Sequence, residues 1–118
     1  MKIINIPVTV DASGDGTGTS AHVQGYLYAV QLIDGNFADG VDIDIDCVND
    51  ELSYILLDKD NFNSDQIVFP RTLEHLNTDG TNLATHCESL VFGKILVTVA
   101  AGGVSTSGSF RFFVREFD

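Results

Sequence analysis

Hydrophobic and polar residues alternate with a period of two over much of this chain. In residues 2–10, Ile4, Ile6, Val8 and Val10 fall on one face, with Asn5, Pro7 and Thr9 on the other. The cleanest alternation is Val41–Val48: Val41, Ile43, Ile45 and Cys47 point one way, Asp42, Asp44 and Asp46 the other. Such patterns predict half-buried strands. Pro7 has no amide hydrogen to give a ladder, so the first strand is expected at a sheet edge or bulged. A longer apolar run over about residues 21–33 predicts a strand with Val23, Tyr26, Tyr28, Val30 and Leu32 in or near the core, and a bulge at Gly25. Short strands are expected at 53–57 and 66–70, and two more at about 90–100 and 108–117.

Turn chemistry separates these runs. Residues 11–18 (Asp-Ala-Ser-Gly-Asp-Gly-Thr-Gly), Asp34-Gly35-Asn36 and the Gly102-Gly103 stretch carry it. Residues 58–65 read as a polar loop. Residues 71–89 show no strand pattern, and one helical turn is expected near Thr72–Leu76; irregular segments this long often contact partners. The sum is about seven strands: an all-β chain, a small antiparallel β-sandwich or barrel of jelly-roll or immunoglobulin-like type, with residues 1–118 as a single domain.

Composition agrees. The chain has 118 residues, 44% of them hydrophobic, with 11 glycines and 2 prolines, enough for one core without staples. Its formal net charge is −11, and residues 1–65 supply nearly all of it, with 2 basic against 12 acidic side chains. Nucleic acids and anionic membranes recruit clustered Lys and Arg, so neither is an expected partner. The acidity either keeps the surface solvated or offers a face to a basic partner or to cations. No signal-like or membrane-spanning apolar segment is read, and two distant cysteines, Cys47 and Cys87, suit free thiols.

Candidate chemistry is thin. Same-face strand neighbours lie ~6.5–7 Å apart, so Asp42, Asp44 and Asp46 need ligands from another strand to hold a cation. Asp11-Ala-Ser-Gly-Asp-Gly imitates the opening of a calcium loop, but His22 stands where a bidentate Glu is required. His75, His86 and Cys87 lack metal-ligand spacing. Ser89 and Ser107 are not placed beside a base by anything in the sequence. No catalytic residue, metal or cofactor is expected, and no enzyme.

The last strand is more informative. Phe110, Phe112 and Val114 share one face, expected in the core. Arg111, Phe113 and Arg115 share the other, setting an aromatic between two guanidinium groups in a chain with only 6 basic residues. Arginine and aromatics concentrate at interface centres, so these three form a candidate contact patch.

Three segments occur in a suggestive order: the turn Asp11–Thr17, the stretch Phe69-Pro-Arg-Thr-Leu-Glu-His-Leu-Asn-Thr-Asp-Gly80, and the closing Lys94–Val114 hairpin. In this the chain resembles small β-sandwich structural proteins from the morphogenesis clusters of tailed bacteriophages. It departs from them in Leu76-Asn-Thr before Asp79-Gly80 and in its acidity. The resemblance implies a virion component without enzymatic activity: a capsid decoration (cement) protein, or else a head-to-tail, neck or tail accessory part. It also implies assembly in the host bacterial cytoplasm, partners among the major capsid protein and other virion subunits, and a homo-oligomer. Arg71, His75 and Gly80 are the matching loop positions, and Arg71 and His75 join the candidate interface. The alternative reading is a carbohydrate- or cation-binding module carried by the Asp42/Asp44/Asp46 row.

Overall fold

Every regular element is extended in the computed structural model, which describes residues 1–117. The strands are β1 (Lys2–Thr9), β2 (Gly16–Ile33), β3 (Val41–Val48), β4 (Ser53–Phe62), β5 (Gln66–Val68), β6 (Arg71–His75), β7 (Asn82–Ala100) and β8 (Ser107–Glu116). All pair antiparallel. The main path runs β1-β8-β2-β7-β3-β4, with β5 added to β2 and β6 to β7. The fold is thus the all-β antiparallel architecture expected, with eight strands. β1 lies at one end of the path and β4 at the other.

One core holds this sheet together. Ile6 and Val8 of β1, Phe110, Phe112 and Val114 of β8, Val41, Ile43, Ile45 and Cys47 of β3, and Leu56 and Phe62 of β4 all belong to a single buried cluster. Strands at opposite ends of the path reach the same cluster only because the sheet curls over its own apolar face. Each large side chain moved from water into that cluster contributes about 1.5–3 kcal/mol. Two turns clasp one end of it. Val10 N donates to Thr106 O at 2.9 Å, and Gly102 N to Gly14 O at 2.9 Å, so the 11–15 and 101–106 turns lie against each other.

Four local expectations are corrected. The predicted bulge at Gly25 falls elsewhere: β2 shifts register between Thr19 and His22 against β7, and between Leu27 and Ala29 against β8. Gly25 is instead a close approach, where a side chain would collide with the Arg115 carbonyl. The second shift moves the inward phase by one residue, from Val23 and Leu27 to Val30 and Leu32, because an extra residue flips every later side chain to the other face. For that reason Tyr26 and Tyr28, predicted near the core, are exposed.

Residues 58–62 are strand rather than loop. Asp58 and Lys59 pair with Asp44 and Ile43, and Phe62 closes β4 fully buried. The 71–89 stretch is not irregular either, and the helical turn expected near Thr72–Leu76 is absent. β6 pairs with the start of β7 through Arg71↔Glu88, Thr72↔Cys87 and Leu73↔His86. This hairpin was unreadable because it buries neither face, so selection for a period-two hydrophobic pattern has nothing to act on.

Candidate functional site

The β6–β7 hairpin is an arm. Its 17 residues from Arg71 to Cys87 are all exposed, and the molecule is 49 Å long against 29 and 26 Å in its other directions. At the tip, Leu76 N donates to Thr81 O at 2.7 Å and Gly80 N to Leu76 O at 2.8 Å. The Asp79 carboxylate accepts from Thr81 N at 2.9 Å and Thr81 Oγ1 at 2.6 Å, which holds its pKa below the usual value. Leu73, Leu76 and Leu83 stand exposed along the arm.

An apolar groove starts at the arm's root. It consists of two adjoining depressions of about 630 and 670 Å³ that share Asn49, Leu52 and Phe92. Its floor follows β7 away from the arm through Cys87, Glu88, Leu90, Phe92 and Lys94. Tyr26 and Ile55 flank it, and Tyr26 lies opposite Leu90 on β2. The β3–β4 turn makes the far wall. Asn49 Oδ1 accepts from Glu51 N at 3.0 Å and Leu52 N at 2.9 Å, while Asn49 Nδ2 donates to Phe92 O at 3.1 Å. That turn therefore presents Leu52 outward, and Asp50 and Glu51 with it. Below, Tyr54 donates to Leu90 O at 2.7 Å, and burial first, then the neighbouring Cys47 thiol, push its pKa up to about 12. The phenol stays a proton donor throughout the physiological range.

The predicted contact residues fall around this root unevenly. Arg115 donates to Glu88 Oε2 from Nη2 at 2.7 Å and Nε at 3.1 Å, and its guanidinium lies 5.7 Å from the Tyr26 ring centre. Phe117 meets Tyr26 edge-on at 5.3 Å. Arg71 Nη1 donates to the Tyr28 and Pro70 carbonyls at 2.9 and 2.8 Å and lies 5.7 Å from the Tyr28 ring centre, beside Phe69. Arg71 and Arg115 thus brace the arm's base on two tyrosines. His75 sits at the outer end of β6, opposite Asn82. Arg111 and Phe113 lie farther along β8, opposite Asn5 and Ile3 of the edge strand β1, so the structure does not gather the five into one patch.

Sequence reasoning missed the groove residues Leu52, Ile55, Leu90 and Phe92. A signal was present: Leu90-Val91-Phe92 is apolar at consecutive strand positions, which means apolar side chains on both faces, and only Val91 enters the core.

The acidic row acquires neighbours. Asp44 lies directly opposite Asp58 across the β3–β4 ladder. Hydrogen bonding to Asp44, and then its charge, raise the Asp58 pKa; the Asp58 charge raises that of Asp60. Asp42 accepts from Asn61 N at 3.1 Å. Among the described residues no group of three or more His, Cys, Asp or Glu side chains is arranged to hold a metal ion. Asp11 in the calcium-loop look-alike accepts from Ser13 N at 2.8 Å and Asp15 N at 3.1 Å, so its carboxylate closes its own turn. Both cysteines are free: Cys47 is buried on β3, and Cys87 is exposed on the arm. Ser89 is buried against Thr72, oxygen to oxygen at 2.7 Å. No helix among the described residues is long and apolar enough to cross a membrane.

No protein-family model matches this sequence, and neither a curated protein nor a solved structure matches it significantly.

Proposed function

We propose that this chain is a non-enzymatic structural protein of a tailed-bacteriophage virion, a capsid decoration protein that adds contacts between subunits of the assembled shell. The observation that carries the reading is the arm. A two-stranded hairpin is at best marginally stable by itself in water, and this one shares none of its 17 exposed residues with the core. Fold stability gives no reason for it. A partner does: the arm offers leucines and main chain beyond the body, and the groove at its root offers apolar surface of the kind found at interaction sites.

Decoration is the role in which such contacts matter most. A subunit that binds only the assembled state stabilises that state by mass action. The β1 edge, with Ile3, Arg111 and Phe113 beside it, supplies a second surface through which the body meets the shell. A place at the neck or on the tail is the variant of this reading with fewer copies per particle. The test is binding of purified chain to particles lacking it. Leu73→Asp with Leu76→Asp is expected to abolish retention while the variant remains folded. Wild-type retention by that folded variant would remove the arm from the account.

A further inference from the structure

We infer that the occupant of the groove is the arm of a second copy, exchanged reciprocally about a two-fold axis at the arm's root. This deepens the assembly reading above and rests on it.

The first argument is direction. One strand, β7, carries both features: residues 82–87 form the arm on one side of the junction, and residues 88–94 lie along the groove floor on the other. A two-fold axis at the junction, near Cys87, therefore lays each arm over the partner's groove at the same time. A single operation satisfies both surfaces, as an isologous dimer requires.

The second is length. The arm's limb of β7, Asn82 to Cys87, and the groove floor, Glu88 to Lys94, hold similar numbers of strand residues, so arm and groove each extend roughly 20 Å at about 3.3 Å per residue. The third is size. A standard interface uses about 20–30 residues a side. The arm alone offers 17, too few. Joined to the 13 further residues that line the groove, it makes 30, within that range, and reciprocal exchange uses both sets at once.

Charge opposes this approach less than the alternative, although the groove adds Asp50, Glu51 and Glu88 against Lys94. The chain carries −11, but residues 71–87 hold only Arg71, Glu74 and Asp79 with two histidines, a formal −1. A dimer pairing through the free edge of β4 would bring the Asp58 and Asp60 carboxylates of two copies together on a strand already crowded with acid, where Asp44 lies directly opposite Asp58 and the Asp58 charge raises the pKa of Asp60.

The test is the mass in solution of the full chain, by light scattering on a sizing column between about 1 and 100 μM. The expected result is twice the chain mass of 12.7 kDa. Leu52→Asp with Ile55→Asp, at positions 62% and 70% exposed, and separately Leu73→Asp with Leu76→Asp, are each expected to halve that mass while still melting cooperatively, at a temperature that no longer depends on protein concentration. A wild-type monomer over the whole range overturns the inference, as does a dimer that survives either folded variant. Failure here and failure of the assembly reading are separable. A monomer that still binds particles loses only the exchange; a dimer that never enters particles loses only the virion role.

Discussion

Arg115 and Glu88 join the last strand to the point where the body ends and the arm begins. The Glu88 carboxylate accepts two hydrogen bonds from one guanidinium, which also lies against Tyr26. Both side chains are partly exposed, so solvent screens the pair and its worth is about 0.5–1 kcal/mol. Arg115→Ala is expected to lower the melting temperature by about 2–5 °C. Its larger effect is local: amide exchange in residues 71–75 and 82–88 should quicken more than in β3. Equal acceleration in both regions would contradict the bracing role.

The Asp44–Asp58 pair makes stability depend on acid in an unusual direction. The raised carboxyl of Asp58, and that of Asp60, bind protons more tightly in the fold than in the unfolded chain. Their contribution is most favourable below the ordinary carboxylate pKa and is lost as pH rises through the raised values. Asp58→Asn is therefore expected to stabilise the protein at neutral pH, and added salt to narrow the gap between variant and wild type. Destabilisation by Asp58→Asn at neutral pH would show that the pair is held together by something other than a shared proton.

Core and arm should respond oppositely to mutation. Phe112 is fully buried between strands, and Phe112→Ala is expected to cost about 3–5 kcal/mol in denaturant unfolding. Leu76→Asp on the arm is expected to stay within about 0.5 kcal/mol of wild type when measured on the monomer. A large loss at Leu76 would mean that the arm is part of the cooperative fold.

The thiols report the same division. In the monomeric Leu73→Asp, Leu76→Asp variant, Cys87 should react at once with a thiol reagent, and Cys47 only on unfolding, because it lies at the centre of the β3 inner face. One fast equivalent of two is the expected titration. Two fast equivalents would place β3 outside the stable core.

Elements with one wet and one dry face were legible from sequence. The inward set of β3, the inward set of β8 and the edge position of β1 follow from alternation and from Pro7. Legibility failed where that contrast disappears. The arm has two wet faces, so its strands carry no period and read as a loop. β7 has apolar residues on both faces near Leu90–Phe92, which hid the groove in an ordinary core pattern. β2 shifts phase at Tyr28, and a one-residue shift turns a correct alternation into a wrong assignment of Tyr26 and Tyr28. Arg115 and Arg71 were marked by their scarcity, while their tyrosine and Glu88 partners came from strands distant in sequence.

The measurement that bears most directly on the central claim is the copy number of this chain in purified virus particles, by quantitative mass spectrometry against the major shell subunit. The account predicts a number comparable to that subunit. A ring-like low count would move the chain from the head surface to the neck or tail. Absence from particles made in cells that express it would contradict the virion assignment outright.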